Sequence, residues 1–510
     1  MRIALAQVNT FVGDLEGNVA RLAEAAARGA ALGAELVVLP EMAVTGYPPR
    51  DLLCDDGFVA AALDATEDLA RRVGGMPPVL VGTIARASHR PPRHPGLHDV
   101  AALLEGGSVR TRVAKRLLPP YDVFHEPRWF LPAGPQAPVE VAARRLGVLV
   151  CEDFWDAGYD VHPPDDLRAA GAEILVCLSA SPFRKGVLEE RLAHARQAGA
   201  PTVYVNAVGG QDELVFDGRS FATDARGRLL ARLASFEEDV AVVDVEAPAA
   251  AAIPNEHDLD VLHRALVCGI RDFADKNRLG RAFLGLSGGV DSSVVARLAA
   301  DALGAARVTC VALPSRYTDP RSTEAARTLA RALGIGFEVL SIEALHAAAA
   351  AELVRLLDAE PAGRLADENV QARLRMLVLM AFVNRHGGFL LNTSNKTELS
   401  LGYSTLYGDM SGALSPLGDV TKPEVYALAR HLGGFPSFVL ERAPSAELRP
   451  GQVDPFDYDV VAPRVEELVL GHRSDAALRR SEHKRWQMGV VLKVSRTAFG
   501  TGRMVPITRR

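Results

Sequence analysis

Three side chains able to do chemistry stand at the ends of apolar runs. Glu41 closes ELVVLPE, Lys115 closes VRTRVAK and Cys151 closes LGVLVC. Together these residue types can break an amide bond. A thiol is a good nucleophile once ionised, and a neighbouring cation favours the thiolate. A carboxylate can carry the thiol proton to a leaving amine, and an ammonium group can stabilise the developing oxyanion. Position alone is a weak signal. Cys177 closes a similar run, EILVC, and a free cysteine in such a place is usually core filler. Glu41 would equally suit a turn, and Lys115 a solvated strand end.

A second constellation is denser. Residues 283–303 read FLGLSGGVDSSVVARLAADAL, an apolar run, a glycine-rich loop and a helical pattern. Gly288 and Gly289 let the backbone approach an anion closely. The hydroxyls of Ser287, Ser292 and Ser293 and the helix N-terminus can donate hydrogen bonds to phosphate. Asp291 stands where a magnesium ion can be shared with phosphate oxygens. No lysine follows the glycines, so the segment is not a GxxxxGK[ST] loop built for γ-phosphate transfer. The bland alternative is a Gly-Gly turn capped by Asp or Ser.

The elements that must position these residues alternate along the chain. Residues 3–8 and 35–39 read as strands around a helix at 17–32, and further strand-like runs occur at 79–81, 101–104, 147–150, 174–178, 202–205 and 240–245. EAPAAAAIPNEHD follows, with Pro248 and Pro254, and reads as a linker over 247–258. It divides a first domain at 1–246 from a second at 259–510. The second repeats the alternation: helix 259–276, strand 282–286, helix 292–303, strand 308–313, helix 321–333. Strands joined through helices imply parallel crossovers and a doubly wound α/β sheet.

Bulk properties exclude several classes. Of 510 residues, 48% are hydrophobic and 24% charged, and the net charge is 57 − 63 = −6, so no nucleic-acid surface is expected. The five cysteines are widely spaced with no CxxC pair, which argues against zinc or a disulfide framework and fits a reducing cytoplasm. No signal peptide or membrane span is expected.

LPEMAVTGYPP, KRLLPPYDVFHEPRWF and CEDFW together resemble the nitrilase, or carbon–nitrogen hydrolase, superfamily. The resemblance implies a four-layer α-β-β-α sandwich with Glu41 as general base, Lys115 as oxyanion stabiliser, Cys151 as nucleophile and Glu126 as the additional glutamate. VNAVGGQDELVFDGRS is similar to the glutamine-hydrolysing branch, which implies Tyr121, Ser181 and position 187 as glutamine contacts. The pattern departs at two places. His98-Asp99 stands where an Asn commonly follows an aromatic residue, and Gly186-Val187 where Gly-Lys is common.

SGGVDSS resembles the pyrophosphate loop of the ATP-pyrophosphatase superfamily, whose members transfer AMP to a carbonyl oxygen. ENVQARLRM, the segment 393–422, PSAELRPGQ and HKR extend the resemblance to the glutamine-dependent NAD synthetases over nearly the whole chain. It implies ATP contacts from Gly285, Leu286, Ser287, Gly288, Gly289, Val290, Asp291, Ser292, Thr393, Lys422 and Ser445. It implies deamido-NAD contacts from Asn369, Arg373, Glu398, Asp409, His483 and Lys484, and magnesium at Asp291 and Glu398. Gly412-Ala413 replaces a frequent glycine pair. The implied partners are glutamine, ATP and deamido-NAD, with a homo-oligomeric assembly and no nucleic acid or membrane.

Overall fold

The computed structural model describes residues 1–248, 255–357, 361–471, 481–499 and 501. Residues 249–254, the middle of the linker expected at 247–258, lie outside the described residues. The chain forms two compact units, Met1–Gln211 with Val215–Glu256, and Asp212–Leu214 with His257–Arg510.

The first unit holds two six-stranded sheets. One runs in the order Asp239–Asp244, Arg2–Gln7, Leu36–Val38, Val79–Arg86, Leu97–Glu105, Ser108–Ala114. The other runs Leu229–Arg232, Phe221–Thr223, Thr202–Asn206, Ile174–Ser179, Arg144–Val150, Val139–Val141. Their inner faces share one core, to which Ile3, Leu5, Leu80 and Leu103 contribute from the first sheet and Val148, Val176, Leu178 and Val205 from the second. Alternate residues point outward. Ala4, Ala6 and Val81 meet Leu22 of helix Leu15–Ala31 and Leu69 of helix Asp56–Arg72. Leu149, Leu175 and Cys177 meet Leu167, Leu188 and Ala195 of helices Pro163–Ala169 and Val187–Ala198. This is the expected α-β-β-α sandwich. Its central strands are buried on both faces, which is why they read as unbroken apolar runs.

Two strands are longer than the apolar runs alone indicate. Val79–Arg86 and Leu97–Glu105 pair antiparallel from Val79↔Leu104 to Arg86↔Leu97. Thr83, His98 and Asp99 interrupt the hydrophobic pattern without interrupting the ladder, because hydrogen bonding is indifferent to the side chain. Strand Ser108–Ala114 covers the run VRTRVA that Lys115 closes. Its outer residues alternate in exposure, so its sequence carries little apolar signal.

The second unit is built on a parallel sheet in the order Gly336–Val339, Val308–Ala312, Ala282–Gly285, Phe389–Leu390. Phe283, Val311 and Leu390 pack against Leu379 of helix Pro361–His386. Helices Val290–Leu303 and Pro320–Leu333 also lie against these strands. The parallel α/β core agrees with the alternation in the sequence. Among the described residues no helix is long and apolar enough to cross a membrane.

Candidate active sites

In the first unit, strand ends gather the reactive side chains. Lys115 directly follows strand Ser108–Ala114, and its Nζ lies 2.6 Å from Glu41 Oε1. The same ammonium lies 2.8 Å from Glu126 and 3.4 Å from Asp99 Oδ2, and all four side chains are buried. Glu41 Oε2 accepts the Ala180 N–H at 2.7 Å, and Glu126 accepts the Tyr47 hydroxyl at 3.1 Å. Burial pulls the Lys115 ammonium down, but Glu126, Glu41 and Asp99 outweigh it, so the group is held charged. The turn carrying Glu41 presses on the next strand. A Cβ on Gly82 would stand 2.2 Å from Met42 N, so only glycine fits there.

Cys151 begins a short 3-10 turn directly after strand Arg144–Val150, with φ at +43°. Such a conformation is uncommon outside glycine and aims the side chain off the strand axis. The Ser179 hydroxyl donates to Cys151 Sγ at 3.4 Å and meets the Tyr204 hydroxyl at 2.7 Å. Burial raises the thiol and Glu41 raises it further, against the pull of Lys115. Burial and Glu41 thus both favour the thiol over the thiolate. Cys177 belongs to the outer layer with the helices, which separates it from Cys151 despite the similar sequence.

The next two residues hold the geometry. Asp153 accepts the backbone N–H groups of Arg116 and Leu117 at 2.9 Å each and that of Val150 at 3.2 Å. One carboxylate thus ties the strand bearing Cys151 to the segment bearing Lys115. Burial pushes it up to about 6. Glu152 accepts the Tyr121 and Tyr159 hydroxyls, both at 2.8 Å, on one oxygen. Tyr121 itself is half exposed. Ser181 is buried, its Oγ accepting from Arg191 at 3.1 Å, and Arg191 pairs with Asp217 at 2.9 Å. Val187 is buried at the start of its helix and its N–H bonds Arg184 O. It brings no polar side chain, so this position lacks the cation that the resemblance places there.

In the second unit, a cavity of about 280 Å³ is lined by Gly285, Leu286, Ser287, Gly289, Val290, Asp291, Ser292, Thr393, Glu398, Asp409, Lys422 and Ser445. Gly288 lies beneath the loop. It has φ +80°, and a Cβ there would meet Ser322 O at 2.2 Å. Ser287 and Ser292 hydroxyls lie 3.1 Å apart at the start of helix Val290–Leu303. Ser293, read as a phosphate donor, points inward and donates to Gly289 O at 2.8 Å. Lys422 Nζ lies 2.6 Å from Asp291 Oδ2 and 3.0 Å from Glu398 Oε1. Burial pushes Glu398 up to about 7, against the pull of Lys422. The two carboxylates already share one cation, an all-oxygen pair suited to magnesium.

Four residues expected near the dinucleotide lie elsewhere than the cavity wall. Asn369 accepts the Thr405 hydroxyl at 2.6 Å, Arg373 donates to Leu406 O at 3.1 Å and Lys484 donates to Gly402 O at 2.8 Å. They gather on residues 402–406 instead. His483 is exposed. The Ser445 hydroxyl is committed to its own loop, donating to Gln452 O at 2.6 Å. Two cavity residues escaped the sequence reading. Arg375 lines the cavity, donates to Leu313 O at 3.1 Å and is lowered by burial to about 10. Arg442 donates to Ser322 Oγ at 2.6 Å, and only its place before PSAE marked it.

Residues 2–255 match the carbon–nitrogen hydrolase family and residues 262–491 the NAD synthase family. A glutamine-dependent NAD(+) synthetase of Synechocystis sp. is 38% identical, with 99% of this chain and 98% of that protein aligned. One of Rhodobacter capsulatus is also 38% identical over 100% of this chain and 98% of its own. Among solved structures, the glutamine-dependent NAD+ synthetase of Acinetobacter baumannii in complex with ADP is similar, with a TM-score of 0.80, 29% identity and coverage of 99% and 98%.

Proposed function

The chain belongs to the glutamine-dependent NAD(+) synthetases, and from that premise we propose how its two sites divide the reaction. The enzyme amidates deamido-NAD to NAD, using ATP and glutamine. The glutaminase domain spans 1–246 and the synthetase domain 259–510, joined by the linker 247–258.

At the first site Glu41 takes the Cys151 proton as sulfur attacks the glutamine amide carbon. The oxyanion forms beside Lys115. Glu41 returns the proton to the leaving nitrogen, ammonia departs and a glutamyl thioester remains. Water, deprotonated by Glu41, hydrolyses it to glutamate and restores the thiol. Glu126 holds Lys115. Ser181 and Tyr121 contact the substrate, and Glu152 is suited to its α-ammonium group.

At the second site the loop 285–292 binds the ATP phosphates, with Thr393, Lys422 and Ser445 as further contacts. A carboxylate oxygen of the nicotinate attacks the α-phosphorus and pyrophosphate leaves. Ammonia then attacks the adenylate carbonyl and AMP leaves, giving the amide. Magnesium, held by Asp291 and Glu398, neutralises polyphosphate charge when bound. Asn369, Arg373, Asp409, His483 and Lys484 bind deamido-NAD around residues 402–406. The enzyme acts in the cytoplasm as a homo-oligomer.

The observation that carries this reading is the buried Glu41–Lys115 pair at 2.6 Å facing Cys151, on a chain whose other unit presents the SGGVDSS cavity. The test is a panel of acceptors with ATP and glutamine. AMP release is expected with deamido-NAD alone. Turnover of a purine or of aspartate in its place would overturn the assignment.

A further inference from the structure

We infer that Asp99 carries a proton in the resting glutaminase site and donates it to Glu41, acting as a positioning residue for the base. This rests on the Glu41–Lys115–Cys151 reading above. The argument begins with charge. Glu41, Asp99 and Glu126 surround one ammonium, Lys115, and each side chain is at most 3% exposed. Among the described residues no second cation bridges any of the three. With all carboxyls ionised the cluster would hold a net charge of −2 without water to solvate it, which burial strongly opposes. One proton in the cluster reduces this to −1.

The donors decide where the proton resides. Glu41 has the Lys115 ammonium at 2.6 Å and the Ala180 N–H at 2.7 Å. Glu126 Oε1 has Lys115 at 3.0 Å and the Tyr47 hydroxyl at 3.1 Å, while its Oε2, 2.8 Å from the Lys115 nitrogen, makes no hydrogen bond. Asp99 has only a long contact, 3.4 Å from its Oδ2 to Lys115, while its Oδ1 meets no donor. Oxygens of the three carboxyls lie within 4.8 Å of one another. A carboxyl facing a carboxylate makes a hydrogen bond only if one of them is protonated. Asp99 has the poorest set of donors and therefore the strongest hold on a proton. Its pKa accordingly lies well above the ordinary range, through burial first and the Glu41 charge second.

The groups facing Asp99 are Glu41 from the turn after strand Leu36–Val38, Lys115 from the end of the neighbouring strand and Glu126 from the turn Glu126–Arg128. His98, next in the chain, is turned to Leu131 O at 2.7 Å. A neutral Asp99 gives Glu41 a third donor beside Lys115 and the Ala180 N–H. That holds the Glu41 carboxylate aimed while it waits for the Cys151 proton. It also leaves the Lys115 charge less quenched for the oxyanion. Above its raised pKa Asp99 ionises, the donor is lost and a further negative charge enters, so turnover falls on the alkaline side.

The test compares Asp99→Asn, Asp99→Ala and Glu126→Gln in the full chain, with ammonia-dependent NAD synthesis showing that each variant has folded. Asp99→Ala is expected to lower the glutamine-dependent kcat about 100-fold with little change in KM. Asp99→Asn, which keeps a donor, should recover activity to within about 10-fold of the parent. Asn cannot ionise, so its alkaline limb should move up by about one pH unit or more. Infrared difference spectra supply an independent reading. A carboxylic-acid C=O band of the parent at neutral pH should vanish in Asp99→Asn and persist in Glu126→Gln. An alkaline limb unmoved in Asp99→Asn, or no loss of acid-band intensity there relative to the parent, would overturn the inference. Absence of the band from the parent would do the same without any variant. These outcomes leave the nucleophile assignment standing, because that depends on Cys151→Ala.

Discussion

The two sites solve opposite problems. The glutaminase centre is dry and assembled, with Lys115 and its three carboxyl neighbours almost wholly buried. Its groups are held by strand ends and by Asp153, which ties the Cys151 and Lys115 segments together. The synthetase centre is a cavity of about 280 Å³ with a glycine-rich rim, and its carboxylates Asp291 and Glu398 share the Lys422 ammonium. A small amide attacked by a thiol requires fixed atoms at short range. A nucleotide and a dinucleotide require room and donors for phosphate oxygens. Preorganisation is thus spent on the nucleophile in one unit and on the anion-binding loop in the other.

The sharpest way to break the comparison is to disable one site alone. Cys151→Ala should lower glutamine-dependent synthesis by about 10⁴-fold or more, while synthesis from supplied ammonia persists. Loss of both would mean that the sites are not separable. Asp291→Asn should lower synthesis from either nitrogen source by about 100-fold, since it removes a charge from the proposed magnesium site and a partner of Lys422. Steady-state rates with the two nitrogen sources decide this.

The third prediction concerns the scaffold of the second unit. Lys396 is buried between Asp419 at 3.0 Å and Glu466 at 2.8 Å, and Asp419 also accepts the N–H groups of Val494 and Ser495. Asp419→Asn should destabilise this unit by about 3 kcal/mol, because a buried ammonium loses a partner. Burial raises the Asp419 carboxyl, but Lys396 and Lys493 outweigh it and hold it below the ordinary range. A depressed folded pKa contributes stability that is fully present above the unfolded value of about 4 and is lost as pH falls through the folded one. Acid unfolding of the parent should therefore be steep below about pH 4 and shallower in the variant, as urea titrations at several pH values would show. The smallest effect is expected from Tyr121→Phe. It removes one donor from a half-exposed contact to Glu152 and should raise the KM for glutamine about 3-fold with kcat little changed. A large fall in kcat would move Tyr121 into the chemistry.

Much of this was legible along the chain. Strand ends marked Glu41, Lys115 and Cys151, and the SGGVDSS word marked the cavity rim, because apolar runs and glycine spacing are local properties. Other features were not. Asp99 interrupts the hydrophobic pattern of its strand and reads as a flaw until the antiparallel register sets it beside Lys115. Arg375 reads as a surface charge on a helix, yet lines the cavity. Ser293 shares a motif with Ser292 but points the other way, since adjacent helical residues diverge by about 100°.

Sequence by itself determined the alternation of elements, the division into two domains and the residue types able to do chemistry. Only the tertiary structure separated Cys151 from Cys177, which follow similar apolar runs. Cys151 turns off its strand into the inter-sheet site, while Cys177 packs among the helices. It also decided that three carboxyls converge on one lysine. Those decisions belong to strand register and to pairs far apart in the chain, such as Glu41 and Lys115. A local pattern can place a residue on a strand, but only the packed sheets determine which charges must share the same dry volume.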